Sequence, residues 1–114
     1  MHRLDGERTL MRIFIGESDR HQNKPLYKVL LEIFRQEGFA GATVLRGIAG
    51  FGPSSVLHTD GLLRLSQDLP LVIEVVDSDE KIEQIIPRLD KMLQGGMITL
   101  EKARVIFYRN DGEK

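Results

Sequence analysis

"LPLVIEVVDSDEKIEQIIPRLDKML", residues 69–93, changes its hydrophobic period halfway along. Up to Val76 it alternates, with Leu71, Ile73 and Val75 on one side and Val72, Glu74 and Val76 on the other. A period of two predicts a strand. From residue 77 the apolar positions become Ile82, Ile85, Ile86, Leu89 and Leu93, the stripe of an amphipathic helix. Asp77 or Ser78 can cap that helix, and Asp79 and Glu80 suit the positive end of its dipole. Pro87 removes one hydrogen bond and should bend it. Gly95 and Gly96 end it, and "ITLEKARVIFY" (98–108) predicts a further strand.

The same unit occurs upstream. "TLMRIFIG" (9–16) places Met11, Ile13 and Ile15 on one side and Leu10, Arg12 and Phe14 on the other. A polar loop, 17–24, follows. Pro25 then opens a helical pattern, a favoured place for proline. Leu26, Leu30, Ile33 and Phe34 form its stripe, Gly38 stops it, and "ATVLRGI" (42–48) predicts a strand. The order is strand, helix, strand, long loop, strand, helix, strand. That is an α+β, ferredoxin-like βαββαβ sandwich, an antiparallel four-stranded sheet with both helices on one face. The expected domain is 9–108 with a long loop at 49–68, between polar tails at 1–8 and 109–114. The other sheet face is largely apolar and would leave a large patch wet. Self-association through that face is expected, with Glu74 needing a partner such as an arginine or a water.

The chain has 114 residues, enough for one domain with a modest core. Its 16 basic and 17 acidic side chains nearly cancel, which argues against a protein built to coat nucleic acid. It has no cysteine, so disulfides and thiolate metal sites are excluded. No apolar run approaches the roughly 20 residues of a bilayer crossing. The opening "MHRLDGERTL" has no apolar signal core. A cytoplasmic, soluble domain is the expectation.

Several stretches invite chemistry. "RGIAGFGPSS" (46–55) holds Gly47, Gly50 and Gly52, which let another molecule approach the backbone. Its amides can form an anion nest with Arg46 beside it, or the stretch is a plain flexible linker. It is neither a Walker motif nor a dinucleotide fingerprint. "GESDRHQNKP" brings Ser18, Arg20, His21 and Lys24 to a helix start, a plausible phosphate site; the bland alternative is a solvated loop with Asn23 capping the helix. Glu17 and Asp19 are acid and base candidates, or solvated carboxylates. His2, His21 and His58 lack metal-ligand spacing. Ser55, His58 and Asp60 lie too close on one loop to act as nucleophile, base and orienter.

"GFAGATVLRGIAGFG", the "LPLVIEVV" strand with its helix, and "ITLEKARVIFY" resemble the PII signal-transduction superfamily over about residues 10–108. "RIFIGESDRHQNKPLY" is similar to that superfamily's uncharacterised PII-like branch. The resemblance implies a homotrimer with its sheets around the threefold axis and an adenine nucleotide (ADP, AMP or ATP) in each inter-subunit cleft. Carried over by position, the nucleotide-binding residues are Thr43, Gly50, Phe51, Gly52, Gly96 and Lys102, with Arg46 beside them. Ser18, Arg20 and Lys24 are candidate phosphate contacts. Thr99, Leu100 and Glu101 stand where the family has a glycine-rich turn with an aspartate. Pro53 and Ser54 stand where it has the glutamine used with magnesium and 2-oxoglutarate. Sensing of 2-oxoglutarate is therefore not carried over, nor is uridylylation, since the loop has no tyrosine.

The leading expectation is a non-enzymatic regulator that needs no cofactor or metal. It would signal through its loop to a partner protein, with a membrane transporter or channel as one class. The alternative is a trimeric binder of a metal or other small ligand, like the CutA relatives of the fold. A hydrolase or transferase using Glu17, Asp19 or His21 ranks last, because the fold by itself names no activity.

Overall fold

The computed structural model describes residues 4–52 and 68–110. The elements are β1 (Gly6–Gly16), β2 (Arg20–His21), β3 (Lys24–Pro25), α1 (Leu26–Gln36), β4 (Thr43–Arg46), β5 (Pro70–Asp77), α2 (Asp79–Met92) and β6 (Met97–Val105). Four strands form one antiparallel sheet in the order β4-β5-β1-β6. This is the ferredoxin-like α+β arrangement that the two alternating-then-helical units predict.

Register decides the faces, because directly opposed residues in an antiparallel ladder share one. Met11 opposes Val75, Ile13 opposes Ile73 and Ile15 opposes Leu71. All six are buried, and they meet Leu30, Ile33 and Phe34 of α1 and Ile82, Ile85 and Leu89 of α2. The opposite face carries Leu10, Phe14, Val72 and Val76 around a charged centre. There Arg12 Nε donates to Glu74 Oε2 at 2.8 Å, and its guanidinium also pairs with Glu101. The Glu74 carboxylate, then that of Glu101, holds the Arg12 proton more firmly than usual. This is the arginine partner that Glu74 requires on an apolar face.

Local chemistry fixes the helix ends. Ser78 caps α2 by accepting from the Lys81 amide at 3.2 Å, and Asp79 and Glu80 lie in the first turn. Buried Asp77 instead accepts from the Ala40 amide at 3.0 Å and the Ser78 amide at 2.8 Å, tying the α1–β4 connection to the α2 start. Pro87 does not end α2, which continues to Met92. Pro87 and Glu83 are both exposed, so water can take the Glu83 carbonyl that the missing amide leaves free. Gly38 follows α1 as expected, its amide donating to the Arg35 carbonyl at 3.1 Å.

Three expectations change. Glu7 and Arg8 are strand, not tail: they oppose Arg104 and Ala103, because β6 extends past the apolar alternation. Leu4 is buried as well. Within 17–24 the chain forms the β2–β3 hairpin, turning through Gln22 and Asn23 at φ 51° and 67°. Two positive-φ residues give the type I′ turn that matches strand twist. Asn23 therefore belongs to the turn and does not cap α1, whose N-cap, Pro25, offers no side-chain bond. Pro53, Ser54, Ser55, His58, Asp60 and His2 lie outside the described residues.

Candidate functional site

The expected nucleotide residues divide between the two edges of the sheet. Thr43 and Arg46 lie on edge strand β4, and Gly50, Phe51 and Gly52 follow it. Lys102 lies on the opposite edge strand, β6, and Gly96 immediately precedes that strand. Three strand spacings, about 14 Å in total, separate the edges. Faces differ too. Thr43 opposes Glu74 on the open face, whereas Lys102 opposes Thr9, whose side chain is buried on the helix side. One copy of the chain does not bring these residues together.

Each half has its own small cavity. Thr43 lines one of about 260 Å³ with Glu74, Val76 and Tyr108. Gly96 lines another of about 290 Å³ with Leu93, Met97 and Ile98. Both fall just short of the roughly 300–1,000 Å³ of small-molecule sites.

The glycines have steric reasons of their own. A Cβ on Gly96 would sit 2.2 Å from the Phe14 carbonyl oxygen, and its φ is 102°. The turn before β6 thus packs directly on the β1 backbone. A Cβ on Gly47 would meet Pro70 Cγ at 2.8 Å, and one on Gly50 would meet it at 3.1 Å. The chain after β4 therefore closes over Pro70, with the Gly47 amide donating to the Pro70 carbonyl at 2.7 Å. Phe51 is 72% exposed and Ile48 91%, two large apolar side chains with little to cover them.

The segment after β1 holds the described residues on both sides of 53–67. Glu17 pairs with Arg46 on one side. On the other, the Glu17 amide donates to the Leu69 carbonyl at 2.8 Å, and the Ser18 hydroxyl donates to Asp68 Oδ1 at 2.8 Å. Asp19 accepts from the Gly16 amide at 3.0 Å. Of the candidate phosphate contacts, Ser18 is thus committed to Asp68, and Arg20 donates to the Asn23 carbonyl. Lys24 lines a groove on the helical side. Glu17, Asp19 and Asp68 act in this subunit as structural clamps. Asp68 carried no signal in the sequence, since a lone aspartate before a strand reads as loop. Among the described residues, no three His, Cys, Asp or Glu side chains gather as a metal site would require. No helix among them is long and apolar enough to cross a membrane.

Solved structures with this arrangement define the class by its fold. A protein of Thermus thermophilus described as PII-like and signaling superposes with a TM-score of 0.63, at 20% identity over 90% of this chain and 94% of its own. CPII of Thiomonas intermedia, solved with ADP and bicarbonate, gives 0.53, at 16% identity over 87% and 88%. The fold is PII-like. Within it the chain belongs to the DUF190 family, described as Uncharacterized ACR, COG1993, whose model matches residues 8–105. A UPF0166 protein of Aquifex aeolicus is 40% identical over 101 residues, covering 89% of this chain and 95% of that one.

Proposed function

We propose that the chain is a regulatory protein without catalytic activity that binds an adenine nucleotide between copies of itself. It would report occupancy to a partner protein through the 49–68 arm. The observation that carries this is the split site. Thr43, Arg46 and Gly50–Gly52 on one edge, and Gly96 and Lys102 on the other, would converge where β4 of one copy meets β6 of the next. Two cavities of about 260 and 290 Å³ on such half-sites would sum to a nucleotide-sized pocket. The uncovered sheet face supplies the reason to assemble. Leu45 opposes Val72 and Met97 opposes Phe14 on that face, and they remain 48% and 53% exposed in the single subunit. Burying such side chains is the usual driving force of obligate association. Three sheets around an axis cover these faces and leave every edge beside a neighbour's.

The ADP held by the related CPII fold supports the nucleotide class. In this chain the phosphates would meet Arg46 on one facing edge and Lys102 on the other. Binding that orders the arm would alter what a partner meets there. Two measurements test the reading. Light scattering should give a trimer mass. Calorimetry of that trimer with ADP, AMP and ATP should give saturable heat that Lys102→Ala and Arg46→Ala each reduce. A monomer at every concentration, or no heat at millimolar nucleotide, would refute it.

A further inference from the structure

A second site stands on the helical layer, away from both sheet edges. β1 and β5 are antiparallel, so the helices that follow them also run antiparallel. The last turns of α2 therefore lie beside the start of α1, and the β2–β3 hairpin stands at the same end. Between them lies a groove of about 660 Å³. That is the size of a small-molecule site. Its floor is apolar, made by Pro25, Val29, Ile33 and Met92.

The rim is cationic. Lys24 comes from the hairpin, Lys28 from the first turn of α1 and Lys91 from the last turn of α2. None of the three has an ion-pair partner among the described residues. The remaining charges of the lining are already committed. Arg88 meets Glu37 at 3.1 Å, and Glu32 meets Arg35 at 3.8 Å while accepting from Gln36. His21 adds a further ring nitrogen.

The helix start gives a second, independent reason. α1 has no side-chain cap and no acidic residue in its first turn, and it carries Lys28 there. A cation at the positive end of a helix is unfavourable, and a nearby anion relieves it. α2 shows the ordinary solution, with Ser78, Asp79 and Glu80 at its start and Lys91 suiting its C-terminal end. The first turn of α2 holds two carboxylates and that of α1 none, and α1 borders a groove whose three lysines have no ion-pair partner among the described residues.

We propose that this groove binds a small organic anion with an apolar body. Lys24, Lys28 and Lys91 would hold its carboxylate or phosphate, and Val29, Ile33 and Met92 its hydrocarbon part. The site shares no lining residue with the sheet-edge cavities, and the proposal does not rest on nucleotide binding. An occupant would touch the hairpin whose root, through Glu17 and Ser18, clamps residues 68 and 69.

Calorimetric titration of the full chain with octyl phosphate, octanoate and octanol tests this. At least one of the two anions should bind saturably, with octanol weaker by about tenfold or more. The stronger anion then identifies the head group, phosphate or carboxylate. The double variant Lys28→Glu, Lys91→Glu should lose about tenfold or more in that affinity. The neutral pair Lys28→Gln, Lys91→Gln should lose less, with circular dichroism matching the parent. Octanol binding as tightly as the anions would overturn the proposal. So would affinity indifferent to both double variants, or no saturable binding of either anion at millimolar concentration.

Discussion

Ile73 and Val72 are neighbours on one strand, yet they meet opposite worlds. Ile73 is fully buried under the helices, while Val72 stands half-buried on the open face between Phe14 and Leu45. The helix-side face is closed by this chain's own atoms, and every strand residue at its centre is aliphatic or methionine. The open face has nearly as many apolar side chains, but Arg12, Glu74 and Glu101 occupy its middle. A charge is tolerated on the core face only where donors satisfy it, as the Ala40 and Ser78 amides do for Asp77 at its edge. A face with an internally paired charge cluster can stand in water before assembly and be covered after it. On the assembly proposed above, the contrast would separate what folds the chain from what joins its copies.

The largest effect should come from the closed face. Ile73→Ala removes buried methylenes where neighbours cannot easily collapse, so the unfolding free energy should fall by about 2–5 kcal/mol in a denaturant titration. Val72→Ala, one residue along, should cost dilute subunits less than about 1.5 kcal/mol, because much of its surface is already wet. Equal losses would break the distinction between the faces. Phe14→Asp asks the converse question. Phe14 is only partly buried in one subunit, so the chain should keep its fold by circular dichroism. The assembled species should disappear from sedimentation velocity, since a carboxylate cannot be covered there without a partner. An unchanged sedimentation coefficient would remove the open face as the joining surface.

Gly96→Ala sharpens the comparison at the border of the two faces. The new methyl would overlap the Phe14 carbonyl oxygen, and the backbone there has positive φ. Displacing that turn should cost about 1–3 kcal/mol of stability even without any ligand. If stability is unchanged while nucleotide heat is lost, the glycine serves the ligand alone.

These expectations also mark what the sequence made legible. Alternation assigned Met11, Ile13, Ile15, Leu71, Ile73 and Val75 to one face because a strand's period is fixed. The pairing of Glu7 and Arg8 within a ladder was invisible, since polar residues join a strand only when a partner extends opposite them. The β2–β3 hairpin was invisible for a related reason. Two-residue strands show no period, and Gln22-Asn23 is not the Asn-Gly signature of a type I′ turn. Candidate nucleotide residues could be named from resemblance, but their places on opposite edges of one sheet could not be read from spacing. That depends on β1 and β5 lying between β4 and β6, which is a property of the topology.

The smallest effect belongs to the charge cluster itself, and it is the most discriminating. Arg12 and Glu74 side chains are each about one-third exposed, at 35% and 31%, so water still solvates both in the free subunit. Such pairs contribute little to folding. Arg12→Met should therefore leave the unfolding midpoint of dilute subunits nearly unchanged. Assembly would then bury Glu74 and Glu101 without the guanidinium that joins them, and an unpaired buried carboxylate is costly. The midpoint of the dissociation curve should accordingly move to higher protein concentration. Adding Glu74→Gln and Glu101→Gln to Arg12→Met should restore much of the loss, since neutral amides need no counter-charge. A triple variant that assembles no better than Arg12→Met would mean that the cluster lies outside the covered area, and that the joining surface is confined to the apolar residues around it.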